Sequence, residues 1–153
     1  MRKTLSIAAM LMATSAVASE QVGTIKVSDP VIYKAFENAR AAGAYMMISN
    51  MGAEGDLLVD VKIEGRMAMI HESREEDGVM RMLHVEAISI PSEGMVEFAP
   101  GGFHVMIMGL QPGEFPTGDM VDATLVFDRA GEVPVTFVVT EQGMDHSGHS
   151  VSN

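Results

Sequence analysis

The chain has 153 residues, a formal net charge of −11 and no cysteine. This length suits one domain with a hydrophobic core, and the acidic charge disfavours nucleic acid and anionic membranes while attracting small cations. The absence of cysteine excludes thiol redox chemistry, cysteine nucleophiles and metal sites built on thiolates, including blue-copper electron-transfer centres.

The first residues have the pattern of a secretory signal. Arg2 and Lys3 precede a mostly apolar run, and Ala16-Val17-Ala18 supplies small residues at a cleavage site. This run is too short to span a membrane, and no later segment has the length of a membrane span. We therefore expect a cleavable signal peptide over residues 1–18 and an exported protein.

The residues after the signal-like segment have a pattern that predicts β-strands. Short runs that alternate apolar and polar residues are separated by clusters of Gly, Pro and Asp, which predict turns. The runs predict strands at 23–27, 45–49, 56–63, 67–71, 79–85, 95–98, 103–108, 123–128 and 133–140. Many short strands at this spacing indicate a single all-β domain over residues 19–140, as an antiparallel sandwich or a barrel.

Two segments differ from this pattern. Asp29-Pro30 followed by "VIYKAFENARAAG" favours a short helix, with Asp as its cap and Pro at its first position, although the segment equally fits an extended edge strand. Residues 141–153, "EQGMDHSGHSVSN", are polar and rich in Gly and Ser, which predicts a mobile tail.

Several predicted strands carry methionine and histidine on one face, because side chains two residues apart point the same way. The groups are His104, Met106 and Met108; Met80, Met82 and His84; and His71 at the end of a third strand. A Met-rich face is usually ordinary packing, and a single His is usually structural. Thioethers beside imidazoles favour copper, however, since thioether sulfur suits Cu(I) and imidazole binds either oxidation state.

The spacing of His71, Met82, His104 and Met106 spells H-x10-M-x21-H-x-M. Together with "AYMMISN", "GVMRM" and "PGGFHVMIMGL", this pattern resembles the PCuAC family of periplasmic copper chaperones. The resemblance implies a cupredoxin-like antiparallel Greek-key β-sandwich with Cu(I) bound by these four residues. It also implies a periplasmic protein that delivers copper to the binuclear copper centre of cytochrome c oxidase, alongside a Sco-type thiol protein. Many family members have Met two residues after the first His, where this chain has Ser73.

The motif leaves other candidate residues unassigned. We interpret Met80 and Met108 as packing that excludes water around the site, and His84 as a surface or structural residue. Met144, His146 and His149 of the tail predict a second, weaker site for Cu(II), which prefers nitrogen and oxygen donors. The alternative for the tail is a solvated end with no role.

The resemblance therefore implies a metallochaperone and not an enzyme, and no carboxylate pair or Ser/His/Asp set has a spacing that supports hydrolase chemistry. Copper storage or resistance is one alternative, and a metal-free, Met-rich interaction module is another. A redox enzyme or electron carrier is disfavoured, because neutral Met ligands bias a site towards Cu(I) and no Cys is present.

Overall fold

The structure, a computed structural model, describes residues 20–141, which form eleven β-strands and no helix. The strands are β1 (Glu20–Val22), β2 (Ile25–Lys34), β3 (Ala41–Asn50), β4 (Asp56–Ile63), β5 (Met67–Glu76), β6 (Val79–His84), β7 (Ile88–Ile90), β8 (Gly94–Phe98), β9 (Phe103–Met108), β10 (Met120–Phe127) and β11 (Gly131–Glu141). The predicted all-β class is confirmed.

All strands belong to one mixed sheet with the order β6-β5-β9-β8-β3-β2-β11-β10-β4-β7. In addition β1 pairs with β2, and β9 also pairs with β3. The pairs β2–β11 and β8–β9 are parallel, and the others are antiparallel. Strand β4 approaches β5, and β7 approaches β3 and β8, so the sheet curls around one hydrophobic core.

The core is built from one face of each long strand. In β9, Val105 and Ile107 are fully buried, and Ile70 of β5 is buried beside them. In β11, Phe137 and its alternate neighbours are buried in the same way. Because side chains alternate along a strand, burial of these residues turns His104 and Met106 to the opposite face of the sheet.

The segment after Asp29 adopts the extended alternative and not the helix, because it is the second half of β2, an inner strand between β3 and β11. Asp29 has a φ of 52°, and the register with β3 shifts between Ser28 and Val31. Pro30 has no N–H to donate to a ladder, so the strand bulges at this point and then resumes. Beyond the bulge, pairing with both β3 and β11 outweighs the local helix signal.

The hairpin of β5 and β6 is closed by the two residues Asp77 and Gly78. Both have positive φ, 52° and 74°, as a type I′ turn requires. The turn fixes the register of the pair, and β5 extends to Glu76, beyond the end predicted at residue 71. The turn therefore decides which side chains of β6 lie opposite those of β5.

Residues 1–19 and 142–153 lie outside the described residues, so the signal peptide and most of the tail stay predictions. Strand β11 continues through Glu141, the first residue of the predicted tail. Among residues 20–141 no helix has the length and apolar character needed to cross a membrane.

We expect Gly78→Ala to lower the free energy of unfolding by about 1 kcal/mol, because a Cβ is crowded in the left-handed conformation that this turn needs. Gly78→Asn is the matched control and costs less, since Asn tolerates this conformation better than Ala. Urea unfolding of the three proteins measures both changes. Equal losses in the two variants would contradict the assigned turn.

Candidate metal centre

Strands β5, β6 and β9 lie side by side and present one row of His and Met side chains away from the core. We call this surface the His/Met face; it consists of Met69, His71 and Ser73 of β5, Met82 and His84 of β6, and His104 and Met106 of β9. Directly opposite partners share a face of the sheet. All four motif residues therefore lie on the same face of adjacent strands.

His71 and His104 are Cα partners on β5 and β9. Their ring centroids are 5.9 Å apart, and the ring planes differ by 20°. His104 is only 4% exposed, although it faces away from the core. Its Nδ1 lies 3.2 Å from the carbonyl oxygen of Gly102, to which the Nδ1–H can donate. That hydrogen bond leaves a lone pair on the other ring nitrogen, Nε2.

Two buried ring nitrogens lack a hydrogen-bond partner. They are Nδ1 of His71 and Nε2 of His104, and no other buried side-chain nitrogen or oxygen between residues 22 and 141 is unpaired. A buried polar atom without a partner costs about 1–3 kcal/mol, so such atoms are rare and usually serve a purpose. Unpaired lone pairs on two stacked imidazoles are what a metal site would require.

The two motif thioethers lie on either side of this pair. Met106 is half-buried, and its Cα partner on β5 is Met69. Met82 is 53% exposed and lies opposite Ser73 on the edge strand β6. Met82, His104 and Met106 line one cleft of about 280 Å³. His71 does not line this cleft; its ring stacks against the ring of His104, which does.

Two tyrosines form the other wall of the cleft. The ring of Tyr45 lies 6.3 Å from that of His104, and the ring of Tyr33 lies 5.3 Å from that of Tyr45. A Cβ added at Gly43 would lie 2.7 Å from the Tyr45 hydroxyl, so glycine makes room for this ring. Burial, assisted by Tyr33, raises the pKa of Tyr45, so the Tyr45 hydroxyl is uncharged at neutral pH.

The charge state of His71 favours a lone pair on its ring. Burial lowers the pKa of His71 from its usual 6.5, and the neighbouring His104 and then His84 act in the same direction, while a backbone contact with Met69 opposes them. His71 is therefore neutral at neutral pH, the form in which imidazole binds metal.

The structure revises the interpretation of two residues outside the motif. Met80 is 60% exposed and lies opposite Glu75, so it does not exclude water from the site as predicted. His84 is exposed, as predicted, but its ring lies 5.6 Å from that of His71, with an interplanar angle of 68°. The Asp77-Gly78 turn is the signal that could have shown this, because counting outward from it pairs His84 with His71. Met108 is half-buried and pairs with Met67 at the far end of β9.

Among residues 20–141 no group of three or more His, Asp or Glu side chains is placed to hold a metal ion. The predicted tail residues Met144, His146 and His149 lie outside the described residues.

Comparison with solved structures defines the class of this fold. A structure described as "Copper-bound PCuAC domain from PmoF2" matches with a TM-score of 0.68 and 30% identity, over 81% of this chain and 98% of that one. The "Apo PCuAC domain from PmoF1" matches with a TM-score of 0.67 and 27% identity, over 81% and 99%. A Deinococcus radiodurans structure, apo-DR1885, shares the fold with a TM-score of 0.59 and 22% identity, over 92% and 95%. The molecule is thus a cupredoxin-like sandwich of the PCuAC type.

The sequence comparisons give the family. The family model "Putative lipoprotein LpqE-like" matches residues 25–139, and the chain belongs to this LpqE-like family. A relative from Leifsonia xyli subsp. xyli (strain CTCB07), named "Putative lipoprotein Lxx21020", is 26% identical in a 115-residue alignment that covers 72% of this chain and 69% of the relative.

The lowered pKa of His71 predicts a stability change with pH in the metal-free protein. Near pH 6.5 the unfolded chain takes up a proton on this residue while the folded protein does not. The corresponding stability is fully present above pH 6.5 and is lost as the pH falls towards the folded-state pKa. The free energy of unfolding, measured with urea from pH 7.5 to 5, should fall more steeply with decreasing pH in the parent than in His71→Gln. Parallel pH dependences in the two proteins would contradict the lowered pKa of His71.

Proposed function

We propose that this protein is an exported Cu(I)-binding metallochaperone whose ligands are His71, Met82, His104 and Met106. The observation that carries the proposal is the pair of unpaired ring nitrogens on His71 and His104, placed beside two thioethers on one face. The copper-bound PCuAC domain among the similar structures supports the choice of metal.

The donor set fits Cu(I) better than other ions. Thioether sulfur is a soft ligand and a poor one for zinc, calcium or magnesium, whereas Cu(I) accepts both thioether and imidazole. Two neutral His and two Met ligands leave one positive charge in the site, beside the uncharged Tyr45. Because the pKa of His71 is already low, little proton release is needed for binding at neutral pH.

The exposure of the ligands suits transfer of the metal to a partner. His104 is nearly inaccessible, while Met82 is 53% exposed on the edge strand. A thiolate or imidazole of a partner can therefore approach from the β6 side and displace Met82 first, because a thioether is a neutral, weak donor. His104 and Met106 would hold the ion until a second donor arrives.

We assign to this protein, as part of the same proposal, delivery of copper to the binuclear copper centre of cytochrome c oxidase, with a Sco-type thiol protein as a second partner. Resemblance to the PCuAC family supports delivery, and the signal-like residues 1–18 together with the lipoprotein names of its relatives support a periplasmic, envelope-associated location. Copper storage uses the same site and differs only in the absence of transfer. No catalytic step is proposed, since the similar structures are described as copper-binding domains.

Cu(I) titration of the mature protein against a competing chelator tests the site. We expect one tightly bound equivalent, with affinity at least about tenfold lower in His71→Ala and in Met106→Leu, because loss of an outer partner of a metal ligand already costs this much. Met95→Leu is the matched control, since Met95 is an exposed Met of β8 outside the His/Met face.

Loss of affinity in the Met95 variant as well would indicate nonspecific thioether binding. A parent protein that prefers zinc to Cu(I) would defeat the proposal. Complete failure to bind copper would favour the metal-free interaction module.

We further propose that Met144, His146 and His149 form a separate, weaker Cu(II) site on the tail. Its support is chemical: two imidazoles three residues apart are suitable donors for Cu(II), which prefers nitrogen and oxygen. The site on the His/Met face would then bind Cu(I), and the tail site would bind Cu(II).

The double variant His146→Asn/His149→Asn tests the tail. It should lose a Cu(II) equivalent, measured by titration with electron paramagnetic resonance detection, while Cu(I) affinity stays at the parent value. An unchanged Cu(II) titration would reject the tail site without affecting the site on the His/Met face.

A further inference from the structure

Three imidazoles lie in a row across neighbouring strands, and their exposure is graded. His84 on β6 is exposed, His71 on β5 is partly buried, and His104 on β9 is 4% exposed. Both neighbouring pairs are Cα partners, with ring centroids 5.6 Å and 5.9 Å apart. The row therefore leads from solvent at the sheet edge to the most buried proposed ligand.

His84 does not line the cleft that contains Met82, His104 and Met106. It lines a neighbouring cleft of about 270 Å³ between β4 and β5, together with Asp60, Glu86 and Met69. Two carboxylates give this cleft a negative potential that raises the local concentration of cations. Met69 is also the Cα partner of Met106, so one residue of this cleft lies beside a ligand of the proposed site.

We propose that His84 is a capture ligand, which binds Cu(I) at the solvent end of the imidazole row and passes it to His71. This inference rests on the proposed function and adds a ligand to it. In each step one donor replaces another on the ion: His84 displaces a ligand of the incoming Cu(I) complex, His71 joins it, and His104 and Met106 then displace His84. The copper remains Cu(I) throughout, so no oxidant or reductant takes part.

His84 is a transient ligand in this scheme because of its position. Strands β6 and β9 lie on opposite sides of β5, so their backbones are about 9.6 Å apart, and His84 lines a different cleft from His104. Met82, in contrast, lines the same cleft as His104 and Met106. A ligand that acts only during transfer speeds capture and release equally and leaves the equilibrium affinity unchanged.

Stopped-flow exchange of Cu(I) between the protein and a weak chromophoric chelator tests this role. The full chain carries His146→Asn/His149→Asn, so that tail imidazoles do not contribute. His84→Phe keeps an aromatic ring against His71 but has no donor atom. We expect both the association and the dissociation rate to fall about tenfold, the lower range for loss of an outer partner of a metal site, with an unchanged dissociation constant.

Two further variants separate ligation from packing. His84→Met supplies another donor for Cu(I) and should restore most of both rates, which a purely structural role of the ring would not allow. Leu83→Ala changes a side chain on the opposite face of the same edge strand and should leave both rates at the parent value.

The outcomes distinguish this role from the proposed function. A parent protein without tight Cu(I) binding rejects the proposed function and this role with it. A parent protein that binds Cu(I) tightly, but whose rates do not respond to His84→Phe, rejects only the capture role. A weaker equilibrium affinity in His84→Phe at an unchanged association rate also overturns it, because His84 would then be a permanent ligand.

Discussion

The antiparallel pairing of β5 with β9 is the interaction on which the site depends. It sets His71 opposite His104 on the outer face and, one residue along, Ile70 opposite Val105 in the core. A slip of one residue would move the apolar pair into solvent and the imidazoles into the core, so burial of Ile70 and Val105 fixes the register. Hydrophobic packing on one side of the sheet thereby positions polar ligands on the other.

This arrangement leaves one buried nitrogen of each imidazole without a hydrogen-bond partner. The His104 ring is held by the Gly102 carbonyl, while the free ring nitrogens of His104 and His71 stay buried without partners. The folded protein tolerates that cost because the surrounding ladder and the tyrosine wall determine where the rings lie. Exposure then increases from His104 to Met82, so the proposed site is enclosed at one end and open to solvent at the other.

Local sequence signals predicted much of this molecule and failed at identifiable places. Alternation along "FHVMIM" correctly placed His104 and Met106 on one face, away from Val105 and Ile107. The Asp29-Pro30 cap suggested a helix, yet a bulge and pairing on both sides make this segment a strand. The proximity of His84 to His71 was not predicted, because the predicted strand ends at residue 71, whereas β5 continues to Glu76 and the hairpin closes at "DG", a strong hairpin signal.

The sequence alone determined the all-β class, the neutral donor types, the absence of thiolate and the spacing of the four motif residues. Only the tertiary structure decided that β5 lies between β6 and β9, that two ring nitrogens are buried without partners, and that Tyr45 closes the cleft over Gly43. The physical reason is that alternation and turn residues act within a few positions of the chain. Pairing between β5 and β9 joins distant segments, and it is fixed by burial in a core to which nearly every strand contributes.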